Sequence, residues 1–201
     1  MCISLLLSAV LLTLARAQVC PQVEHVNNFD LERYAQGTWY EIARYTNDLE
    51  KYGNCVITNY TKRGDNDYVI EISEVQNGKR IVYDGLLDLS TDEHLKGIVN
   101  YVFLDGKYNY KLAISFLAVD YSRYAIKYSC MTDPKGKGKI VLAWIYSRTK
   151  QLTDSAKAAI DSYLSSSKLL DKTKFFYDTF SDDSCKYTDS SVDRTLPKRM
   201  T

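Results

Sequence analysis

YNYKLAISF, residues 108–116, decides the architecture. Tyr108, Tyr110, Leu112, Ile114 and Phe116 fall on one side of an extended chain, and Asn109, Lys111, Ala113 and Ser115 on the other. A period of two, with aromatic and branched residues on one face, marks a half-buried strand. The pattern recurs on either side. YVIEISE (68–74) puts Tyr68, Ile70 and Ile72 on one face, and CVITNYTKR (55–63) alternates in the same way. Turn-forming clusters separate the runs: KYGN (51–54), RGDND (63–67), QNGK (76–79), LSTDE (89–93), LDGK (104–107), VDYSR (119–123) and TDPKGKGK (132–139). Eight strands are predicted, near 38–47, 55–63, 68–75, 80–88, 95–104, 108–118, 123–130 and 140–148. The fold class is therefore all-β: an eight-stranded antiparallel up-and-down β-barrel, whose closure removes exposed sheet edges. One helix follows, over LTDSAKAAIDSYLSSS (152–167), with Thr153 as N-cap and Asp154 in the first turn. Its apolar stripe is Ala156, Ala159, Ile160, Tyr163 and Leu164. Only the outside of the barrel can bury that stripe, and Tyr124, Ile126 and Tyr128 offer a face to receive it.

Residues 1–17, MCISLLLSAVLLTLARA, read as a signal peptide ending in Ala15-Arg16-Ala17. The apolar run is too short to span a bilayer, which needs about 20 such residues. The mature chain then begins at Gln18, with one domain over 18–185 and a flexible polar tail over 186–201. No membrane insertion is expected. Without Arg16 the 26 basic residues become 25, matching the 25 acidic ones. A neutral chain with no basic stripe offers no footprint for nucleic acid. KGKGK (135–139) lacks the residue order of a phosphate loop and reads as a hairpin loop.

The five cysteines become four once Cys2 is removed, which predicts two disulfides in one of three connectivities. No Cys-x-x-Cys occurs, so neither a metal site nor a redox motif is expected. Asn59-Tyr60-Thr61 is a glycosylation sequon. With Asn59 outward, Val56, Thr58 and Tyr60 point inward. The two histidines, His25 and His94, fall in the N-terminal arm and in a turn, and no nucleophile motif accompanies them. An enzyme is not expected.

Counting strand directions brings Trp39, Asp120, Tyr121 and Arg148 to the same end of the barrel. An indole there can act as a floor, with the Arg148 guanidinium stacked on it and donating to nearby carbonyls. Gly37 lets the entering chain approach closely. The blocks Gly37-Thr38-Trp39, Val119-Asp120-Tyr121 and Ser147-Arg148 resemble, in order and spacing, the three signature blocks of the lipocalins. Residues 20–55 and 141–164 are closer still to the insect bilin-binding lipocalins of the insecticyanin type. Val119 departs from the threonine usual in that family. The resemblance implies disulfides Cys20–Cys130 and Cys55–Cys185.

With one end stoppered, the other is the mouth of a cup. Alternation turns Glu41, Tyr45 and Asn47 inward on the first strand and Tyr60 on the second. Ile72, Glu74, Tyr83 and Gly85 follow on the third and fourth, Gly85 leaving room for a flat ligand. Tyr101, Phe103, Tyr108, Tyr110 and Leu112 line the next two, with Ser129 and Leu142 beyond. Aromatic walls with polar tips suit a conjugated ligand bearing heteroatoms. The resemblance implies that this ligand, the chromophore, is biliverdin, of the gamma isomer, carried as a pigment in haemolymph or cuticle. Lys51, Lys79 and Lys107 stand in mouth loops where its propionates would lie. The alternatives are an apolipoprotein D-like carrier of a retinoid, carotenoid, sterol or fatty acid, and an extracellular protein that binds partners through its loops. A homo-oligomer is left open.

Overall fold

The structure, a computed structural model, describes residues 19–46, 53–89, 91–104, 109–133 and 138–195, with backbone alone at 92, 95, 104, 109–110 and 189–195. Eight antiparallel strands follow in chain order: β1 (Thr38–Tyr45), β2 (Asn54–Gly64), β3 (Asp67–Gln76), β4 (Lys79–Asp88), β5 (Ile98–Leu104), β6 (Asn109–Asp120), β7 (Tyr124–Thr132) and β8 (Lys139–Ser147). Each pairs with the next, and β8 returns to β1, so the sheet closes as expected. The start of β5 moves from 95 to Ile98 because Asp92–Lys96 winds into a 3₁₀ turn.

Three short elements carry too little pattern to be read from sequence. The helix α1 (Leu31–Ala35) is opened by Asp30, whose carboxylate accepts from the Arg33 amide at 2.9 Å. It buries Leu31, Tyr34 and Ala35 beneath the barrel. Strand β9 (Phe175–Tyr177) pairs with the end of β1 from outside. Strand β10 (Asp189–Thr195) pairs parallel with β4 at Lys79 and Ile81–Tyr83. Of the tail expected to be flexible over 186–201, residues 189–195 thus form a strand, and 196–201 lie outside the described residues. β4 and β5 pair only between Gly85–Asp88 and Asn100–Phe103, so β10 covers a stretch of β4 edge that β5 leaves unpaired.

The C-terminal helix α2 (Asp154–Ser166) lies where its stripe requires. Thr153 Oγ1 accepts from the Ala156 amide at 3.3 Å, and Ala156, Ile160 and Leu164 are buried. Ile160 and Leu164 join a cluster with Ile126, Tyr128 and Ile145 on the outer face of β7 and β8. Both disulfides form as the family resemblance implies, Cys20–Cys130 and Cys55–Cys185. The first ties the N-terminal arm to β7 and the second ties the chain after β9 to the start of β2.

Strand β1 changes faces midway. Glu41 opposes Tyr146 and Ala43 opposes Ile145, so one residue of β1 is extra. An inserted residue inverts the alternation beyond it. Trp39 and Glu41 point into the barrel, and past the bulge Arg44 does so too, reaching Glu41. Tyr45 therefore leaves the cup, correcting its inward assignment. Its ring meets Phe175 edge-on at 4.6 Å, and its hydroxyl donates to the Asp171 carbonyl at 3.0 Å and accepts from the Asp171 amide at 2.6 Å. Tyr45→Phe is expected to lower stability by about 1 kcal/mol. The denaturant midpoint would fall with an unchanged slope, while cup binding stays as in the parent. A loss of ligand affinity in this variant would contradict the outward placement.

Candidate ligand cup

The closed end is built around Trp39. The indole is fully buried and donates from Nε1 to the Tyr34 carbonyl at 2.8 Å. Tyr34 stacks on it at 4.7 Å, and Phe29 stacks on Phe116 at 4.2 Å beside it. The Arg148 guanidinium stands 3.6 Å from the indole centroid. Its Nε, Nη1 and Nη2 donate to the carbonyls of Tyr121, Thr38 and Tyr34 at 2.9, 3.2 and 3.1 Å. Gly37 sits at φ +67°, and a Cβ there would come within 3.6 Å of Arg148 Nη1. Asp120 holds the β6–β7 turn, accepting from the Ser122 amide at 3.0 Å and from Arg123 at 2.7 Å. The Tyr121 hydroxyl accepts from the Asp30 amide at 2.9 Å. Trp39, Tyr34 and Arg148 thus stack at this end of the barrel, and α1 lies beneath them.

Above the floor lies an apolar layer in which Ile70, Ile114, Phe116, Leu112 and Leu142 are buried. Tyr60 and Tyr101 meet across it, hydroxyl to hydroxyl, at 2.5 Å. Burial raises both phenols above their ordinary range, so they remain neutral. Ser129 and Leu142 pair across β7 and β8 and both are buried. Ile72 and Phe103 are half-buried against the same core. Gly85 needs correction. A Cβ there would lie 2.9 Å from Ile70 Cγ2 and 3.0 Å from Phe103 Cδ1, so its neighbours already fill the expected room. Asn47 and Tyr108, like Lys51 and Lys107, lie outside the described residues, and Tyr110 is described only as the backbone partner of Phe103.

The wall is more polar than the sequence reading expected. Glu41 is 3% exposed; its Oε1 accepts from Arg44 Nη1 at 2.8 Å and its Oε2 from the Tyr146 hydroxyl at 2.9 Å. Lys127, 2% exposed, sets its ammonium 3.7 Å from the Tyr146 ring centroid and 5.4 and 5.8 Å from those of Tyr101 and Trp144. Toward the mouth, Glu74 accepts from the Tyr83 hydroxyl at 2.8 Å and from Gln76, while Arg44 also donates to the Gly53 carbonyl. Burial lifts the Glu41 carboxyl above its usual value, and the Arg44 charge, then the hydrogen bonds from Arg44 and Tyr146, pull against that. Burial lifts Glu74 too, opposed by its bonds from Tyr83 and Gln76. Arg44, Lys127, Trp144 and Tyr146 were missed from the sequence. Lys127 has the parity of Ser129, and Tyr146 that of Leu142, so alternation could have found them; Arg44 was hidden by the bulge.

A barrel closed at one end by a stacked indole and guanidinium, with an aromatic and charged wall above, is the cup of a small-molecule carrier. The lipocalin / cytosolic fatty-acid binding protein family model matches residues 36–182. Bilin-binding protein of Pieris brassicae is 34% identical over 169 residues, covering 83% of this chain and 87% of its own. Insecticyanin-A of Manduca sexta is 36% identical over 172 residues, covering 84% and 90%. The solved structure of insecticyanin from the tobacco hornworm matches with a TM-score of 0.79 at 34% identity, over 88% of this chain and 93% of that one. Mouse apolipoprotein D is 33% identical over 129 residues, 56% of this chain and 58% of its own. The chain belongs to the lipocalin family.

Proposed function

We propose that this lipocalin is a secreted carrier, not an enzyme, and that its cup holds a bilin, biliverdin of the gamma isomer, as a blue pigment of haemolymph or cuticle. The observation that carries this reading is the buried polar wall of Glu41, Arg44, Lys127 and Tyr146. A carboxylate and an ammonium inside a barrel favour a ligand that offers them both donors and acceptors. A bilin does so through its pyrrole N–H groups and lactam oxygens, while its conjugated body lies on rings such as Tyr101, Trp144 and Tyr146. A saturated hydrocarbon chain offers neither. The names of the two insect relatives point the same way. Among the described residues no helix is long and apolar enough to cross a membrane, and no cluster is suited to a metal ion.

The test is to add biliverdin to ligand-free protein, remove the excess and record absorption and circular dichroism. A retained band, shifted to the red and optically active, is expected. Lys127→Met should weaken binding about tenfold, the contribution of one hydrogen bond to a charged group. Absence of retained colour from folded protein would overturn the reading. It would favour the second one, a carrier of a colourless apolar ligand, which rests on the apolar layer of Ile70, Leu112, Ile114 and Leu142 and on the likeness to apolipoprotein D. For such a ligand Lys127→Met should leave affinity unchanged or raise it.

A further inference from the structure

At the far end from the mouth, the outer surface of the floor is hollowed into a recess of about 450 Å³. Its lining includes Arg33, Gln36, Thr38, Tyr40, Tyr121 and Arg148, and contains no aspartate or glutamate. Two arginines therefore line one concavity whose lining holds no carboxylate. The acids nearby are engaged elsewhere. Asp120 is held by Ser122 and Arg123, Glu32 pairs with Lys62 at 3.2 Å, and Asp30 caps α1. Arg33 lies over the Tyr121 ring at 4.7 Å, and among the described residues no carboxylate pairs with it. Arg148 directs three of its five N–H groups to carbonyls, which leaves two. The Tyr40 hydroxyl has no hydrogen-bond partner among the described residues, and its ring is half-buried against Phe180 at 5.5 Å.

From this arrangement we infer that the recess is a second binding site, selective for a small oxyanion: a phosphate, or the carboxylate of an aromatic acid. Arg33 and the two remaining Arg148 N–H groups are the anion donors, and the rings of Tyr40 and Tyr121 flank them. The charges are fixed in place by the floor itself. Arg148 cannot swing away without breaking three hydrogen bonds and its stack on Trp39, so the site is preformed. Its guanidinium is pulled below its ordinary value by burial, as expected for a desolvated cation with no counter-ion nearby. The inference does not depend on what the cup holds, because Trp39 and Tyr34 separate the two sites.

Inorganic phosphate is the probe, titrated against the disulfide-intact protein by ¹H–¹⁵N NMR, with sodium chloride at equal ionic strength as control and no bilin present. The Nε–H signals of Arg33 and Arg148 and the amides of Gln36–Thr38 and Ser122 should shift together and saturate at millimolar phosphate. Arg33→Gln, an exposed position, should weaken the response about tenfold while leaving the remaining spectrum in place. Arg33→Lys should restore part of it. Benzoate should shift the same signals, with added ring-current shifts at Tyr40 and Tyr121 if the carboxylate arrives on an aromatic body. No saturable shift at these residues would overturn the inference, as would an equal response in Arg33→Gln, which would show that Arg33 does not hold the anion.

Discussion

Arg44→Met is expected to lower the unfolding free energy by about 3–5 kcal/mol, because it strips a buried carboxylate of its counter-ion. Arg44 and Glu41 are 5% and 4% exposed at the side chain and meet at 2.8 Å. The Tyr146 hydroxyl and the Lys127 charge remain near Glu41 but leave Oε1 without its donor. The loss should depend on pH with a definite sign. Burial already raises the Glu41 carboxyl, and Arg44 is the strongest influence opposing that rise. Without Arg44 the folded-state value climbs further above the unfolded one. Between those two values the folded state binds more protons, so stability falls as pH rises through the window and recovers on acidification. Denaturant melts from about pH 5 to about pH 8 should show the variant's deficit growing with pH. Adding Glu41→Gln should recover part of the deficit and flatten the pH dependence, since an amide needs no counter-ion. A deficit of the same size at every pH, unchanged by the second substitution, would mean that Arg44 acts through packing alone.

The second large effect concerns Cys55–Cys185. The bond joins residues 130 apart, and in the chain-entropy account closing so long a loop stabilises by about 4–5 kcal/mol. Replacing both cysteines with alanine should lower the thermal midpoint by roughly 10 °C for a chain of this size. The fold should survive, because none of the barrel's strand pairs needs the bond. Locally the bond closes a small cluster of Ile42, Cys55 and Phe180. The Asp178 carboxylate anchors the same corner, accepting from the Cys55 amide at 2.6 Å. With the bond removed, amide exchange should accelerate first over 178–185 and at the start of β2. A shift of only one or two degrees would show that the segment is held by these contacts and not by the covalent link.

The barrel was legible because its strands are long and half-buried, so alternation writes the register directly into the chain. Asn59, set outward by its sequon, does face out and accepts from Thr38 Oγ1 at 2.9 Å, while Thr58 and Tyr60 are buried inside. Thr153 and the α2 stripe were legible for the corresponding reason at helical period. Alternation failed where the backbone breaks its own period. The bulge in β1 exchanged Tyr45 for Arg44 in the cup, and nothing in EIARY announces an extra residue. Lys127 was overlooked for its chemistry, since a lysine at an inward position contradicts the usual cost of burying charge until the surrounding rings and Glu41 are seen. α1 and β10 are held by contacts distant in sequence, the first under Trp39 and the second along β4, and five or seven residues show no period of their own.

The stacked floor of Trp39, Tyr34 and Arg148 also dictates the kinetics of exchange. A vessel with one opening cannot be flushed through. A newcomer cannot enter behind the occupant, so replacement waits for spontaneous departure, and its rate constant should stay the same however concentrated the competitor becomes. Residence time is then a property of the occupant and the rim alone. A vessel built this way sets how fast its occupant is exchanged, and the affinities and concentrations of the competitors set only what replaces it.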